Sequence, residues 1–325
     1  MPTATLHRLA ATLLAAAALH AAAQAQPVGA DPTPLAVTEV APGVHVHAGR
    51  VEDWMPGNGG DVANLGFVVG SRCVAVIDTG GTPQLGARWR AAIERVTRLP
   101  ICFVFDTHAH PDHVLGNSAF AGPGTRFVAS ANFNAAMSAR APYFLRALER
   151  DFGVSMAPDA VVYPTLAVEA AQDPTQDATQ EFDLGDRVLV AQAWPTAHTN
   201  NDLTVYDRKT RTLFASDLLF VQHIPVVDGN VRGWLRALPR LARIDAALVV
   251  PGHGPTRSGG PDAWKPQQEY LEALQRETRA ALKSGKTLSQ AVDSVALEAA
   301  SHWQLAERFH RRNVTAAFAE LEWED

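Results

Sequence analysis

Residues Thr107 to Asn117 read Thr-His-Ala-His-Pro-Asp-His-Val-Leu-Gly-Asn, which places His108, His110, Asp112 and His113 within six positions. Imidazoles crowded this way repel once protonated and lose hydration for nothing, unless a divalent cation sits among them. Alternate residues of an extended segment share a face, so His108 and His110 can converge on one ion. The turn after Pro111 can aim Asp112 and His113 at a second. Imidazole nitrogen combined with carboxylate oxygen suits zinc, and also iron or manganese. A solvated surface cluster would need no partners further along the chain. Three are present, each at an apolar run read as a strand end: His198 in PTAHTNND, Asp217 in FASDLLF and His253 in VVPGHGP. No GxSxG elbow, P-loop or GxGxxG competes for the chemistry.

Elements that would position these side chains can be read around them. The runs CVAVIDTG and CFVFDTHAH both predict buried strands ending in Asp-Thr, and a helix over Leu85 to Arg98 lies between them. A right-handed βαβ crossover puts the two strands in one sheet. Upstream, Pro34 to Gly70 alternates and turns, which predicts antiparallel strands around a Gly-rich flap, MPGNGGD. Trp54 and Met55 in that stretch either cover the site or form an incidental hairpin tip. His45 and His47 share a strand face but have no third ligand nearby, and are read as ordinary strand histidines. Residues 117–164 read as helical and irregular, and the polar stretch EAAQDPTQDATQ reads as a connector. A second strand-rich block follows, carrying His198, Asp217 and His253, and then a tail with helical periodicity and no strands. The expected organisation is a segment 1–25, a domain over 34–260 built from two αβ halves, and a helical extension over 261–325.

Cys73 and Cys102 each open one of the two Asp-Thr strands. Neighbouring strands lie close enough for a disulfide. Counted back from Asp78 and Asp106, however, the cysteines differ by one residue, which turns them to opposite faces if the aspartates are in register. A bridge and two buried thiols both remain open.

Hydrophobic residues make up 47% of the 325 and charged residues 19%, enough for a large core. The net charge of −6, with no Lys/Arg tract, argues against nucleic acid as a partner. His7 and Arg8, an apolar Leu/Ala stretch and Ala23-Gln24-Ala25 have the form of a cleaved secretory signal peptide. The expected location is therefore periplasmic or secreted, and no later segment is apolar enough to span a membrane.

Taken in order, THAHPDH, AHT, SDLLF and PGHG resemble the metallo-β-lactamase superfamily, from about Pro34 to Pro255. The resemblance implies an αββα sandwich of two mixed β-sheets flanked by helices, with two zinc ions at one edge. By the same resemblance His108, His110 and His198 would hold the first ion, Asp112, His113 and His253 the second, and Asp217 would bridge them. Asp78 would orient a ligand imidazole from behind. A hydroxide shared by the metals would attack an ester, thioester, lactone or related bond, with Asp112 moving the proton. Asp217 points away from true β-lactamases, which typically lack a carboxylate there. RCVAVIDTGG, THAHPDHVLGN, DLLFVQHIPVVDGNVRGW and ELEWE are further similar to exported quinoprotein relay system zinc metallohydrolases. That likeness implies a functional association with periplasmic quinoprotein dehydrogenases. The alternatives are a metal-binding accessory protein of such a redox system, an iron-dependent persulfide-type oxidoreductase, and a true β-lactamase. His223, Asn117 and Trp54 are candidates for the substrate pocket, His223 as a substrate contact or proton donor, or else as a loop residue capping a backbone group. The C-terminal helices either shape the mouth of the site or mediate dimerisation.

Overall fold

Thirteen strands among the described residues form two sheets. In the first, β1 (Thr38–Ala41), β2 (Val44–His47), β3 (Leu65–Val69), β4 (Val74–Ile77), β5 (Ile101–Phe105), β6 (Arg126–Ser130) and β7 (Leu166–Val168) lie in sequence order. The β1–β4 pairings are antiparallel and the β4–β7 pairings parallel. The second sheet holds β8 (Thr179–Asp183), β9 (Val188–Ala193), β10 (Leu203–Asp207), β11 (Thr212–Phe220), β12 (Leu248–His253) and β13 (Arg257–Ser258), in the order β13-β12-β11-β10-β9-β8. Only β11 and β12 run parallel in it. This computed structural model describes residues 33–171 and 178–324. The expected signal peptide, residues 1–25, lies outside them, as does the middle of the expected connector.

The sheets pack face to face. Phe103 and Phe105 of the first meet Phe182 of the second edge-on, at ring centroids 5.1 and 4.9 Å, within an apolar layer that includes Val44, Leu189, Val205 and Phe214. Helices cover both outer faces. Helix α1 (Pro83–Val96) starts on the Thr82 side chain, which accepts from Leu85 N, and lays Trp89 and Ile93 on β3, β4 and β5. A single turn, α2 (Pro111–Val114), follows β5, and α3 (Phe133–Phe152) packs beside it. On the other face lie α4 (Val231–Leu241), α5 (Lys265–Lys283), α6 (Leu288–Val292), α7 (Leu297–Ser301) and α8 (Ala306–Leu321). Trp234, Tyr270, Leu274 and Val314 from these helices pack with Leu213 and Val249 of the sheet. The expected αββα sandwich with C-terminal helices is therefore present, and no described helix is long and apolar enough to cross a membrane.

Two local features differ from the sequence reading, and a third decides a point it left open. Strand β6 lies within the stretch read as helical: Arg-Phe-Val-Ala-Ser is short and buried in a parallel position, so it shows no alternation. Asp217 does not end its strand. It sits inside β11, whose nine residues are all buried, next to Ser216 with its backbone at φ 48°. The register with β12 shifts on both sides of Ser216, and that irregularity aims Asp217 toward the sheet edge. Cys73 and Cys102 are joined by a disulfide with Cα atoms 5.8 Å apart. Ile77 pairs with Phe105, so the two following aspartates are in register, but the pairing slips between Val74↔Ile101 and Ala75↔Phe103. Cys102 is the extra residue in that slip, which absorbs the one-residue offset.

Candidate metal centre

The seven residues singled out in the sequence converge at one edge of the sandwich. β5 leads into His108 and His110, α2 carries Asp112 and His113, the loop after β9 brings His198, and β11 and β12 supply Asp217 and His253. The backbone hydrogen bonds of each element determine which ring nitrogen points inward. His198 Nδ1 lies 2.7 Å from the Val226 carbonyl and His253 Nδ1 lies 3.0 Å from the Val62 carbonyl. A carbonyl only accepts, so Nδ1 carries the proton in both and Nε2 presents a lone pair. His113 Nδ1 donates to Asp78 Oδ2 at 2.8 Å, and His110 Nε2 donates to Asp228 Oδ2 at 3.0 Å, which leaves Nδ1 of His110 as the inward atom. His108 Nδ1 lies 3.1 Å from Thr107 Oγ1, whose own proton goes to Asp78. Five imidazole nitrogens thus face one another, each able to present a lone pair once it is deprotonated.

Their spacing separates into two sets. His108 Nε2 is 3.0 Å from His110 Nδ1, which is 3.2 Å from His198 Nε2. Asp217 Oδ2 stands 3.6 Å from His108 Nε2 and 3.3 Å from His198 Nε2. Its other oxygen, Oδ1, stands 3.2 Å from His113 Nε2 and 3.5 Å from His253 Nε2. Asp112 Oδ2 completes the second set at 3.5 and 3.3 Å from the same two nitrogens. Ligand bonds of ~2.0–2.1 Å in a tetrahedron give edges of ~3.3–3.4 Å. In the first set, with the tautomers set from outside, the nitrogen–nitrogen separations put lone pair against lone pair and are not hydrogen bonds. His113 Nε2 and Asp217 Oδ1 are sealed from solvent and make no hydrogen bond. Two cations, one per set, fit the donors present. Zinc, iron or manganese would suit the mixture of nitrogen and carboxylate oxygen, and Asp217 turns one oxygen toward each set.

Electrostatics distinguishes the sets. Burial pushes the His108 imidazolium well down and that of His198 down to about 4, outweighing the attraction of Asp217. In the second set burial also opposes charge, but Asp217 and Asp112 overcome it and lift His253 to about 9 and His113 well above the ordinary imidazole value. Asp112 and Asp217 are held below the usual carboxylate range despite burial, chiefly by His113 and His253. Without a cation, protons occupy the second set.

Strain and close approach surround the centre. Asp78 has φ 58°, and it accepts both from Thr107 N, at 2.9 Å, and from Thr107 Oγ1, at 2.8 Å, while orienting His113. A Cβ on Gly252 would lie 1.8 Å from Asp217 Oδ1, so any side chain at that position displaces the bridging candidate.

The cavity over the centre holds about 510 Å³ and is lined by Asp112, His198, Asp217 and His253, with Trp54 and His223 on its walls. Trp54 donates to the Gly81 carbonyl and packs on Phe152 of α3, whereas Met55 stands out in solvent. Asn117 corrects the sequence reading. It is buried under the site, donating to Asp106 Oδ2 and accepting from Thr79 Oγ1, and it ties the strand ends together rather than lining the pocket. His223 lines the pocket but does not serve as a proton donor toward it. Its Nδ1 is committed to the Ile224 carbonyl at 2.6 Å, and burial followed by repulsion from His253 lowers its pKa to about 4. His47 spends both nitrogens on the Ala36 carbonyl and Asp61, and His45 stacks on Phe67, so both are the ordinary strand residues expected. A larger hollow of about 820 Å³, between α5 and α7, contains none of the seven residues.

Sequence reasoning missed two groups. Asp228, behind His110, is ion-paired to Arg140 of α3, and no motif marks a helix residue that meets a loop far away in the chain. α8 also enters the site. Its Arg308, Phe309 and Arg312 line the cavity, and Arg308 pairs with Asp53 of the Gly-rich loop. Asn313 holds the loop carrying His223 and Asp228 by accepting from Val227 N and donating to the Pro225 carbonyl. The C-terminal helices therefore shape the mouth.

Residues 58–253 match the model of the metallo-β-lactamase superfamily, and the chain belongs to that family. No curated protein matches the sequence. Among solved structures it is similar to a metallo-β-lactamase from Hirschia baltica, at 17% identity and a TM-score of 0.56, over 74% of this chain and 98% of that one. The stereoselective inverting sec-alkylsulfatase Pisa1 from Pseudomonas sp. aligns at 15% identity and a TM-score of 0.65, over 89% of this chain, which spans 50% of its length. The metallo-β-lactamase FIM-1 from Pseudomonas aeruginosa, in a mono-zinc form, aligns at 19% identity and a TM-score of 0.55, over 74% of this chain and 96% of that one. At these identities the likeness concerns the fold.

Proposed function

We propose that the protein is an exported hydrolase that works with two zinc ions on an ester, thioester, lactone or related small-molecule bond. The observation that carries this reading is Asp217, with one oxygen facing each set of imidazole nitrogens. His108, His110 and His198 would hold one ion, and Asp112, His113 and His253 the other. Bound there, two divalent cations supply Lewis acidity toward an acyl oxygen and an acidified water. The chain supplies the remaining parts. Asp112 lines the cavity and is ionised at neutral pH, so it can take a proton and pass it to the leaving group. Phe220, Phe309 and Val62 form apolar wall that limits bulk water. Asp78 and Asp228 hold His113 and His110 in the orientation that presents a lone pair.

The closer likeness to quinoprotein relay system zinc metallohydrolases belongs to the same reading. It supports a functional association with a periplasmic quinoprotein dehydrogenase, and the supporting motifs are those quoted from the sequence. Protein recovered from the periplasm should begin after Ala25. Metal analysis of that material, followed by a panel of lactones, esters, thioesters and β-lactams, tests the function. Two ions per chain and turnover of an activated ester or thioester well above any β-lactam are expected. Full activity without metal, or efficient carbapenem cleavage, would overturn the reading.

A further inference from the structure

His223 is 3% exposed and lines the cavity over the metal centre. Its ring lies among aromatic neighbours, with centroids 5.0 Å from His253, 5.1 Å from Phe309 and 5.3 Å from Phe220. Its position is over-determined. Gln222 precedes it at φ 67°, and the flanking backbone is tied to the C-terminal segment through Gln304 N to the Gln222 carbonyl, 2.8 Å, and Ile224 N to the Gln304 carbonyl, 3.0 Å. Because Nδ1 must donate to the Ile224 carbonyl, Nε2 is a lone-pair acceptor. Nε2 has no partner among the described residues, and His223 belongs to neither metal-ligating set. Unlike His113 Nε2, this nitrogen is not sealed from solvent, so it is open to a donor arriving through the cavity that His223 lines.

We propose that His223 is a substrate-contacting specificity residue whose Nε2 accepts a hydrogen bond from a hydroxyl or N–H on the carbon next to the scissile carbonyl. The substrates are then acyl compounds carrying such a donor. This rests on the hydrolase reading, which puts a carbonyl at the metal centre, and the His223 ring stands 5.0 Å from that of the candidate ligand His253. The donor requirement follows from the tautomer, because an acceptor in the substrate would face a second lone pair.

Three phenyl thioesters separate donor from size: acetyl, hydroxyacetyl and methoxyacetyl, each rate normalised to its reaction with hydroxide. Wild type should favour the hydroxyacetyl compound over the methoxyacetyl one by about tenfold in kcat/KM, the worth of one buried hydrogen bond. H223F should abolish the preference at unchanged metal content, and H223Q, whose carbonyl can accept, should restore part of it. Calorimetric binding of glycolate against methoxyacetate to the zinc-loaded proteins gives the same comparison without turnover. An unchanged preference in H223F, or loss of a metal ion from it, overturns the assignment. If no thioester is cleaved but the glycolate preference exists and disappears in H223F, the hydrolase reading fails and the assignment stands. If thioesters are cleaved with no preference in wild type, the assignment fails alone.

Discussion

Loading the two ligand sets with zinc should differ in proton release. In the metal-free protein His198 titrates at about 4 and His108 well below the ordinary imidazole value, so at pH 7 these two already offer free lone pairs. His253 titrates at about 9 and His113 is also raised, so at the same pH both carry protons that a cation must displace. The first ion should release almost none and the second between one and two, the lower figure applying where the first ion has already drawn on Asp217. Between pH 8 and pH 6, affinity at the second set should then fall ~10²- to 10⁴-fold while the first barely changes, at about 1.4 kcal/mol per proton per pH unit. Mildly acidic conditions should yield a protein with one ion. Titration of zinc into metal-free protein, in buffers of different ionisation heat, counts the protons directly. A first ion with the steeper pH dependence, or no release for either ion, would refute the assignment of charge to the two sets. The sign reverses for folding of the metal-free chain. A raised imidazole pKa stabilises it fully below about 6.5, and that contribution is lost as pH rises through about 9.

D228N should weaken zinc binding at the first set by ~10–100-fold and leave the second within a few-fold, because it loosens only His110; competition with a chromogenic chelator reads both. N117A should lower stability by ~1–3 kcal/mol in urea melts and spare metal content, since Asn117 satisfies buried groups and touches no candidate ligand. Thiol titration of the unfolded, unreduced protein should find no free thiol, and the double variant C73A/C102A should lose about 3.5 kcal/mol from a closed loop of 29 residues. R312E should depress hydrolysis of an anionic ester more than of its neutral analogue, as Arg312 lines the cavity with no carboxylate partner among the described residues; equal effects on both would count against a role in steering charge.

The seven candidate ligands were legible in the chain because their types are expensive to crowd without a cation, and because each stands in or just after an apolar run of strand length. The βαβ unit followed from apolar runs of strand length separated by one helix, and the sandwich from the family resemblance that the motifs carry. Strand β6 escaped because four consecutive buried residues in a parallel strand have no period to read. Only the tertiary structure could show that a slip at Cys102 aligns the cysteines, since a single inserted residue has no sequence signature. The same holds for Asn117, whose partners Thr79 and Asp106 decide that it braces the strand ends and does not face substrate. Arg140 and Asp228 meet across 88 residues, and α8 reaches the cavity from the far end of the chain. Chemistry concentrated in short motifs is local and can be read in order. The tautomer of each imidazole, the charge of each set and the walls of the pocket depend on which backbone groups arrive from elsewhere, and folding alone brings those together.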